Sequence, residues 1–224
     1  MGAVVRYQAA LLARSQRWLP PVLLYVVFLG IGVQGGQPLL DSLGYAAAAL
    51  LPTAAWLVRV CVGNEPPAAR SVVAAAVGPG RAHLGAVLVG AGAGLGVGLL
   101  GTLVVTWISA PVSSDHQRRV PVPDAAVAGL LAAVTCALLG TAIGVISAWP
   151  VLRTPGRAVP ALMLGALLTL VVTGSPAQAA VSGLVTGSRE ASVPTPVLPL
   201  LAAAVVTAGV VAGACALVSR RTAD

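Results

Sequence analysis

LGAVLVGAGAGLGVGLLGTLVVTWI, residues 84–108, runs from end to end without one charged side chain. About 20 apolar residues in a helix cross the ~30 Å hydrocarbon core of a bilayer, so this stretch reads as a membrane span, tilted because it is longer than the bilayer requires. Five more apolar runs share its character, at about 18–34, 43–62, 124–149, 159–173 and 197–218. The expected fold is an all-α membrane protein of six transmembrane helices, a single transmembrane domain over 1–224. Within the quoted stretch Gly90, Gly94 and Gly98 recur every four residues, and Gly92 and Gly96 form a second row. Small residues at that spacing let helix backbones approach closely in lipid. Gly140 and Gly144, and Gly209 and Gly213, repeat the pattern. Packing inside one bundle and contact between two copies both use such rows.

Composition agrees with the runs. The chain has 224 residues, of which 58% are hydrophobic and 8% charged, whereas a soluble domain carries about a quarter charged residues. Six spans with short loops fill this length and leave no room for a separate soluble domain. The net charge of +7 comes entirely from Arg, placed at span ends, where it meets lipid headgroups; nucleic acid is not an expected partner. Cys61, Cys136 and Cys215 lack the paired spacing of a zinc site or a disulfide framework, and read as small buried thiols. The first apolar run follows a basic leader and has no Ala-x-Ala site, so it is expected to be retained as a span.

Residues 3–17 intersperse apolar side chains with Arg6, Arg14 and Arg17, which predicts an amphipathic helix lying in the membrane interface. Pro20 and Pro21 suit the first turn of span one, and the Gln34–Gln37 turn joins it to span two in a tight hairpin. Pro52 predicts a kink in span two. Orientation follows from Arg, which short cytoplasmic loops retain. Arg6, Arg14, Arg17, Arg59, Arg70, Arg81, Arg153, Arg157, Arg220 and Arg221 fall on one side, and only Arg118, Arg119 and Arg189 on the other. The first side is expected to be the cytoplasm, with both termini there and the protein in the cell's inner (cytoplasmic) membrane. Trp18, Trp56 and Trp149 near inner ends, with Trp107 and Tyr45 near outer ends, fit interfacial aromatic belts.

Residues 64–81, NEPPAARSVVAAAVGPGR, interrupt the apolar pattern on the cytoplasmic side between spans two and three. Asn64 as N-cap, Glu65 in the field of the helix dipole, Pro66 and Pro67 in the first turn and Gly78-Pro79-Gly80 as a stop predict a short separate helix. Ala69, Val72, Val73, Ala76 and Val77 share one face, with Arg70 and Ser71 pointing elsewhere. About a dozen residues cannot cross a bilayer, so the apolar strip needs lipid or a protein groove to cover it.

The span interiors hold no Asp, Glu, Lys or His, the groups that mark proton relays, and this argues against a proton-driven carrier. Thr53, Thr102, Thr106, Thr135, Thr141, Thr169, Thr173 and Thr207 supply hydroxyls, which in helices usually bond the preceding turn. His83 and His116 are too far apart for a metal site and read as interfacial. The phosphate-cradling G-x-x-x-x-G-K-[ST] loop is absent, so the chain does not hydrolyse ATP alone, and no catalytic, cofactor-binding or metal residue is expected on it. Residues 174–196 read as the longest outer connection and include AQAAVSGLV, an apolar stretch of re-entrant or interfacial length, either a lid or external gate or an interfacial loop helix.

The order of parts resembles the permease subunit of an ABC exporter of the second type, the group with bacterial drug- and antibiotic-resistance exporters and ABCG-like transporters. The resemblance covers the whole chain. It rests on the interface helix with Arg14 and Arg17, the tight first hairpin and the E-x-x-x-x-R…G-P-G-R stretch (Glu65, Arg70, Gly78, Pro79, Gly80, Arg81), together with the short fourth connection and the apolar outer insertion before span six. It implies a coupling helix, Glu65 to Val77, resting on a separate nucleotide-binding ATPase subunit that carries ATP and Mg. Glu65, Arg70, Val72, Val73, Val77 and Arg81 would form that docking element. It further implies a homodimer or heterodimer of permeases with a pathway lined by spans two and five, where Thr53, Trp56, Thr169 and Thr173 are candidates. The prolines at 66 and 67 and the scarcity of charge depart from the family's common pattern. Apolar walls suit a hydrophobic small molecule, peptide or lipid-like substrate. The alternatives are a non-transporting membrane scaffold and an uncoupled facilitator.

Overall fold

Runs of Ala, Val, Leu and Gly bounded by proline fold as helices throughout the computed structural model, which describes residues 1–148 and 155–221. The connection with Arg153, and Trp149, lie outside the described residues, as do the side chains of Arg157 and Arg221. The order is α1 (Gly2–Ser15), α2 (Leu19–Gly32), α3 (Leu39–Gly63), α4 (Pro67–Val77), α5 (Pro79–Ile108), α6 (Val122–Ile146), α7 (Pro155–Val171), α8 (Pro176–Glu190) and α9 (Val197–Arg221). Among the described residues there is no strand, only two isolated bridges in the connections.

Four helices, α3, α5, α6 and α9, are long and apolar enough to cross a membrane. The pair α7 and α8, bent by 49°, adds a fifth crossing if it counts as one path. These are the helices of a multi-pass membrane protein. Several begin earlier than the apolar runs do: α3 at Leu39 rather than 43, and α5 at Pro79 rather than 84. Proline in the first turn costs no hydrogen bond, so a helix can start well before its hydrocarbon-soluble part. Pro52 lies inside α3.

α3 is the hub, and glycine sets how closely its neighbours pack. On α5, built Cβ atoms at Gly90, Gly94 and Gly98 would fall 2.6 Å from Val58 Cα, 3.1 Å from Ala54 Cβ and 2.5 Å from Leu50 Cδ2. Four residues forward on α5 is four back on α3, the register of antiparallel helices in backbone contact. On α6, Cβ atoms at Gly140 and Gly144 would sit 2.5 Å from the carbonyl oxygens of Leu51 and Ala55, so α6 runs parallel to α3. Gly92, Gly96, Gly209 and Gly213 meet nothing within 4 Å. The first glycine row therefore packs within the chain, and the second faces outward.

The main core joins Leu39, Leu43, Leu51, Ala132, Cys136 and Leu184 from three helices. Threonine hydroxyls mostly close onto their own helix: Thr53, Thr102, Thr106, Thr135, Thr141 and Thr169 each donate to the carbonyl four residues back. Thr207 is different, donating from α9 to Leu138 O on α6 at 2.9 Å. Interhelical hydrogen bonds in membranes average about 0.6 kcal/mol. Thr207→Val, which keeps the shape, is expected to lower the thermal midpoint in detergent by only a few degrees; a collapse of the fold would show that this bond holds α9 in place.

Residues 174–196 differ most from the expected outer connection. α7 stops at Val171, the chain turns through Gly174 at φ +92°, and α8 then packs into the bundle. Ala177, Ala180 and Leu184 are fully buried, and Gly44 of α3 lies against Val181 and Leu184. Small residues at i, i+3 and i+7 make one helix face, so a stretch only moderately apolar overall still has a face fit for the core. At its outer end Ser114 Oγ donates to Asp41 Oδ2 at 2.7 Å and lies 2.8 Å from Ser188 Oγ, linking the loop after α5 to α3 and α8. In that loop Asp115 accepts hydrogen bonds from the Ser113 hydroxyl and the Gln117 N–H, which together hold its carboxyl below the ordinary range.

Candidate functional site

Polar side chains that the sequence spreads from Gln8 to His83 meet at the corner where α3 turns into α4. α3 ends at Gly63, leaving carbonyls that its own helix cannot pair. Arg70, one turn into α4, reaches back and donates to Val62 O at 3.4 Å and Glu65 O at 3.1 Å. Asn64, expected to cap α4, instead closes α3: it is that helix's C-cap, and its side chain donates to Leu11 O on α1 at 3.2 Å. The N-cap of α4 is Pro66, with no side-chain capping bond. Gly78, at φ +88°, ends α4 as expected, and α5 starts at once with Pro79.

α1 braces this corner from the side. Its buried stripe is Val4, Gln8 and Leu12, spaced by four, and Gln8 is the polar member. Gln8 Nε2 donates to Glu65 Oε2 at 3.1 Å. Tyr7 lies beside the same carboxylate; burial first, then the neighbouring Glu65 carboxylate, push its phenol pKa up. Glu65 is 6% exposed and His83, on the first turns of α5, is 7% exposed. Glu65 Oε1 and His83 Nε2 are buried without a hydrogen-bond partner. Both residues line a cavity of about 400 Å³ with Arg70, Ser71, Ala74 and Val218. Glu65 and Arg70 are thus structural members of the corner, and no spacing or motif in the sequence joins Gln8 or His83 to them.

The other docking candidates separate by exposure. Val72 is 69% exposed, and Val73 and Val77 are half-buried. Arg81 is exposed at the α4–α5 turn. Ala68, Ser71, Ala75 and Ala76 are exposed with Val72, so the open face of α4 consists of small residues around one valine. The expected strip of Ala69, Val72, Val73, Ala76 and Val77 is divided between this face and the bundle.

Of the pathway candidates, Thr53 is fully buried and its hydroxyl donates to Ala49 O. Thr169 bonds Gly165 O. Trp56 is half-buried and Thr173, at the break between α7 and α8, is exposed. Among the described residues no group of three His, Cys, Asp or Glu could hold a metal, and the three cysteines are free thiols. No protein-family model, curated protein or solved structure matches the chain.

Proposed function

We propose that this chain is the membrane-spanning permease subunit of an ATP-driven exporter of the second ABC type, working as a dimer on a separate nucleotide-binding subunit. The observation that carries the reading is α4. It is an 11-residue helix outside the bundle, held between two spans by Arg70 and braced by an interface helix through Glu65. Its small apolar face remains open. A rigidly mounted short helix with an uncovered apolar face suits transmission of force from a protein that grips it. ATP and Mg would be bound by the partner, and this chain would contribute conformational change alone.

The reading takes six crossings: α2, α3, α5, α6, α7 with α8, and α9. An even number puts both termini on the Arg-rich side, which the distribution of Arg makes the cytoplasmic face of the cell's inner membrane. The 14 residues of α2 span about 21 Å at 1.5 Å each, short of the ~30 Å core. Trp18 before it and the extended Val33 after it lengthen its reach. The pathway would run between two copies beside α3 and α7, with Trp56 and Thr173 as the candidates that keep open surface, and would carry a hydrophobic small molecule, peptide or lipid-like substrate.

A second reading, a scaffold that binds another membrane protein and transports nothing, draws on the outward Gly209 and Gly213 of α9. Purification of the tagged chain from its host in mild detergent, with mass spectrometry of what stays bound, separates the two. A stoichiometric subunit carrying the phosphate-binding G-x-x-x-x-G-K-[ST] loop is the expected result. A stoichiometric partner without nucleotide motifs would replace the exporter with the scaffold, and a chain that comes down alone would remove the exporter reading.

A further inference from the structure

The cavity beneath α4 meets its open face at Ser71, and its buried polar atoms have a definite chemistry. Glu65 uses one carboxylate oxygen on Gln8, while Oε1 remains buried and unpaired, as does His83 Nε2. A buried polar atom without a partner costs roughly 1–3 kcal/mol, more when it is charged, so two in one cavity of about 400 Å³ call for a ligand with polar groups to match. Glu65 asks for an N–H or O–H donor. His83 can pair an anionic oxygen through Nε2–H, in the positive field of the Arg70 guanidinium on the same wall. Apart from Ser71, whose hydroxyl donates to Ala68 O, the rest of the wall is apolar: Val62, Pro67, Ala74, Pro79, Ala82, Ala86 and Val218. The cavity lies where α3 ends and α5 begins, two helices long and apolar enough to cross a membrane.

We propose that this cavity binds an aminoalkyl phosphate group, the headgroup of phosphatidylethanolamine, with the primary ammonium donating to Glu65 Oε1 and the phosphate accepting from His83 Nε2. Glu65 Oε1 asks for a donor and His83 Nε2–H for an acceptor, and a primary ammonium joined to a phosphate supplies both. The apolar wall receives the glycerol and upper acyl chain. A bound headgroup would join α4 to α5 and so set the position of the short helix. The inference stands without the exporter reading, because it concerns the isolated chain and its lipid.

The test uses the purified full chain, stripped of lipid in detergent and titrated with phosphatidylethanolamine or phosphatidylcholine of identical acyl chains, with bound lipid counted by native mass spectrometry. Choline has no N–H, so it cannot donate to Glu65. Phosphatidylethanolamine is expected to bind roughly tenfold or more tightly than phosphatidylcholine, as a lost hydrogen bond to a buried charge implies. Glu65→Gln is expected to remove that preference, and His83→Gln to weaken it. The thermal midpoint of wild type should rise with phosphatidylethanolamine and not with phosphatidylcholine, a readout that needs no variant. Soluble phosphoethanolamine competing at millimolar concentration would make a free solute a second source of the same group; competition by the lipid alone would assign the site to the membrane. Equal binding of the two lipids by wild type overturns the proposal, and so does a preference that survives both substitutions.

Discussion

Gly140→Leu is expected to leave no monodisperse folded chain. The reason is the atom that the new side chain meets. At Gly140 a Cβ would sit 2.5 Å from the carbonyl oxygen of Leu51 and 3.0 Å from Ala54 Cβ. A side-chain end can turn away from a clash, but a carbonyl in the middle of a packed helix cannot. Even a single added methyl in a tight core costs about 1–3 kcal/mol, and leucine adds three more carbons at the tightest seam of the bundle. Gly144 repeats the geometry one turn on, against Ala55 O. The control is Gly92→Leu, a residue of α5 with nothing within 4 Å; it should keep the wild-type elution profile and thermal midpoint. A Gly140→Leu chain that elutes and melts like wild type would mean that α6 does not pack on α3 as described. Loss of a dimer peak in Gly92→Leu would instead make the second glycine row a contact between copies.

That contrast shows how far the sequence could be read. Spacing alone gave both glycine rows the same standing, since Gly90, Gly94 and Gly98 repeat every four residues just as Gly92 and Gly96 do. Which row faces α3 depends on the rotation of α5, and a helix apolar on every side carries no amphipathic signal for that. The long spans were legible because lipid requires long uncharged runs. Their ends were less so: Pro79 starts α5 ahead of the apolar run because a first-turn proline needs no donor, and α3 starts at Leu39, directly after Pro38. Gly174-Ser175-Pro176 does break the helix after the fifth apolar run, but the return of α8 into the bundle could not be read from that triplet. The polar Gln178 and Ser182 concealed that Ala177, Ala180 and Leu184 form a buried face. Local chemistry was read correctly where partners are close, as with the threonine hydroxyls on the preceding turn. Gln8 and Glu65 are 57 residues apart and no periodicity links them. Arg70 was an expected docking residue, and its bonds to the carbonyls of Val62 and Glu65 depend on the turn from α3 into α4, which no spacing shows.

The revised place of Arg70 changes which substitution tests the docking reading, and Val72→Glu is the decisive one. Val72 is 69% exposed in the middle of the open face of α4, and its side chain holds no part of the corner together. The variant should therefore fold, elute and melt like wild type. If α4 sits in an apolar groove of an ATPase, the new carboxylate would be buried there without a partner. Removing a residue central to an interface costs 2 kcal/mol or more at a hot spot, and an uncompensated charge costs several more. At about 1.4 kcal/mol per tenfold, association should fall by at least about 30-fold, and transport with it. Arg70→Glu should also reduce association, but by another route: it places a carboxylate against Val62 O and Glu65 O, so its thermal midpoint should drop first. Arg81→Glu, exposed at the turn, should weaken binding without lowering the midpoint. Comparing association and melting for the three variants distinguishes a contact from a support. Retention of the ATPase by a well-folded Val72→Glu chain would exclude α4 as the docking helix, whatever Arg70→Glu does.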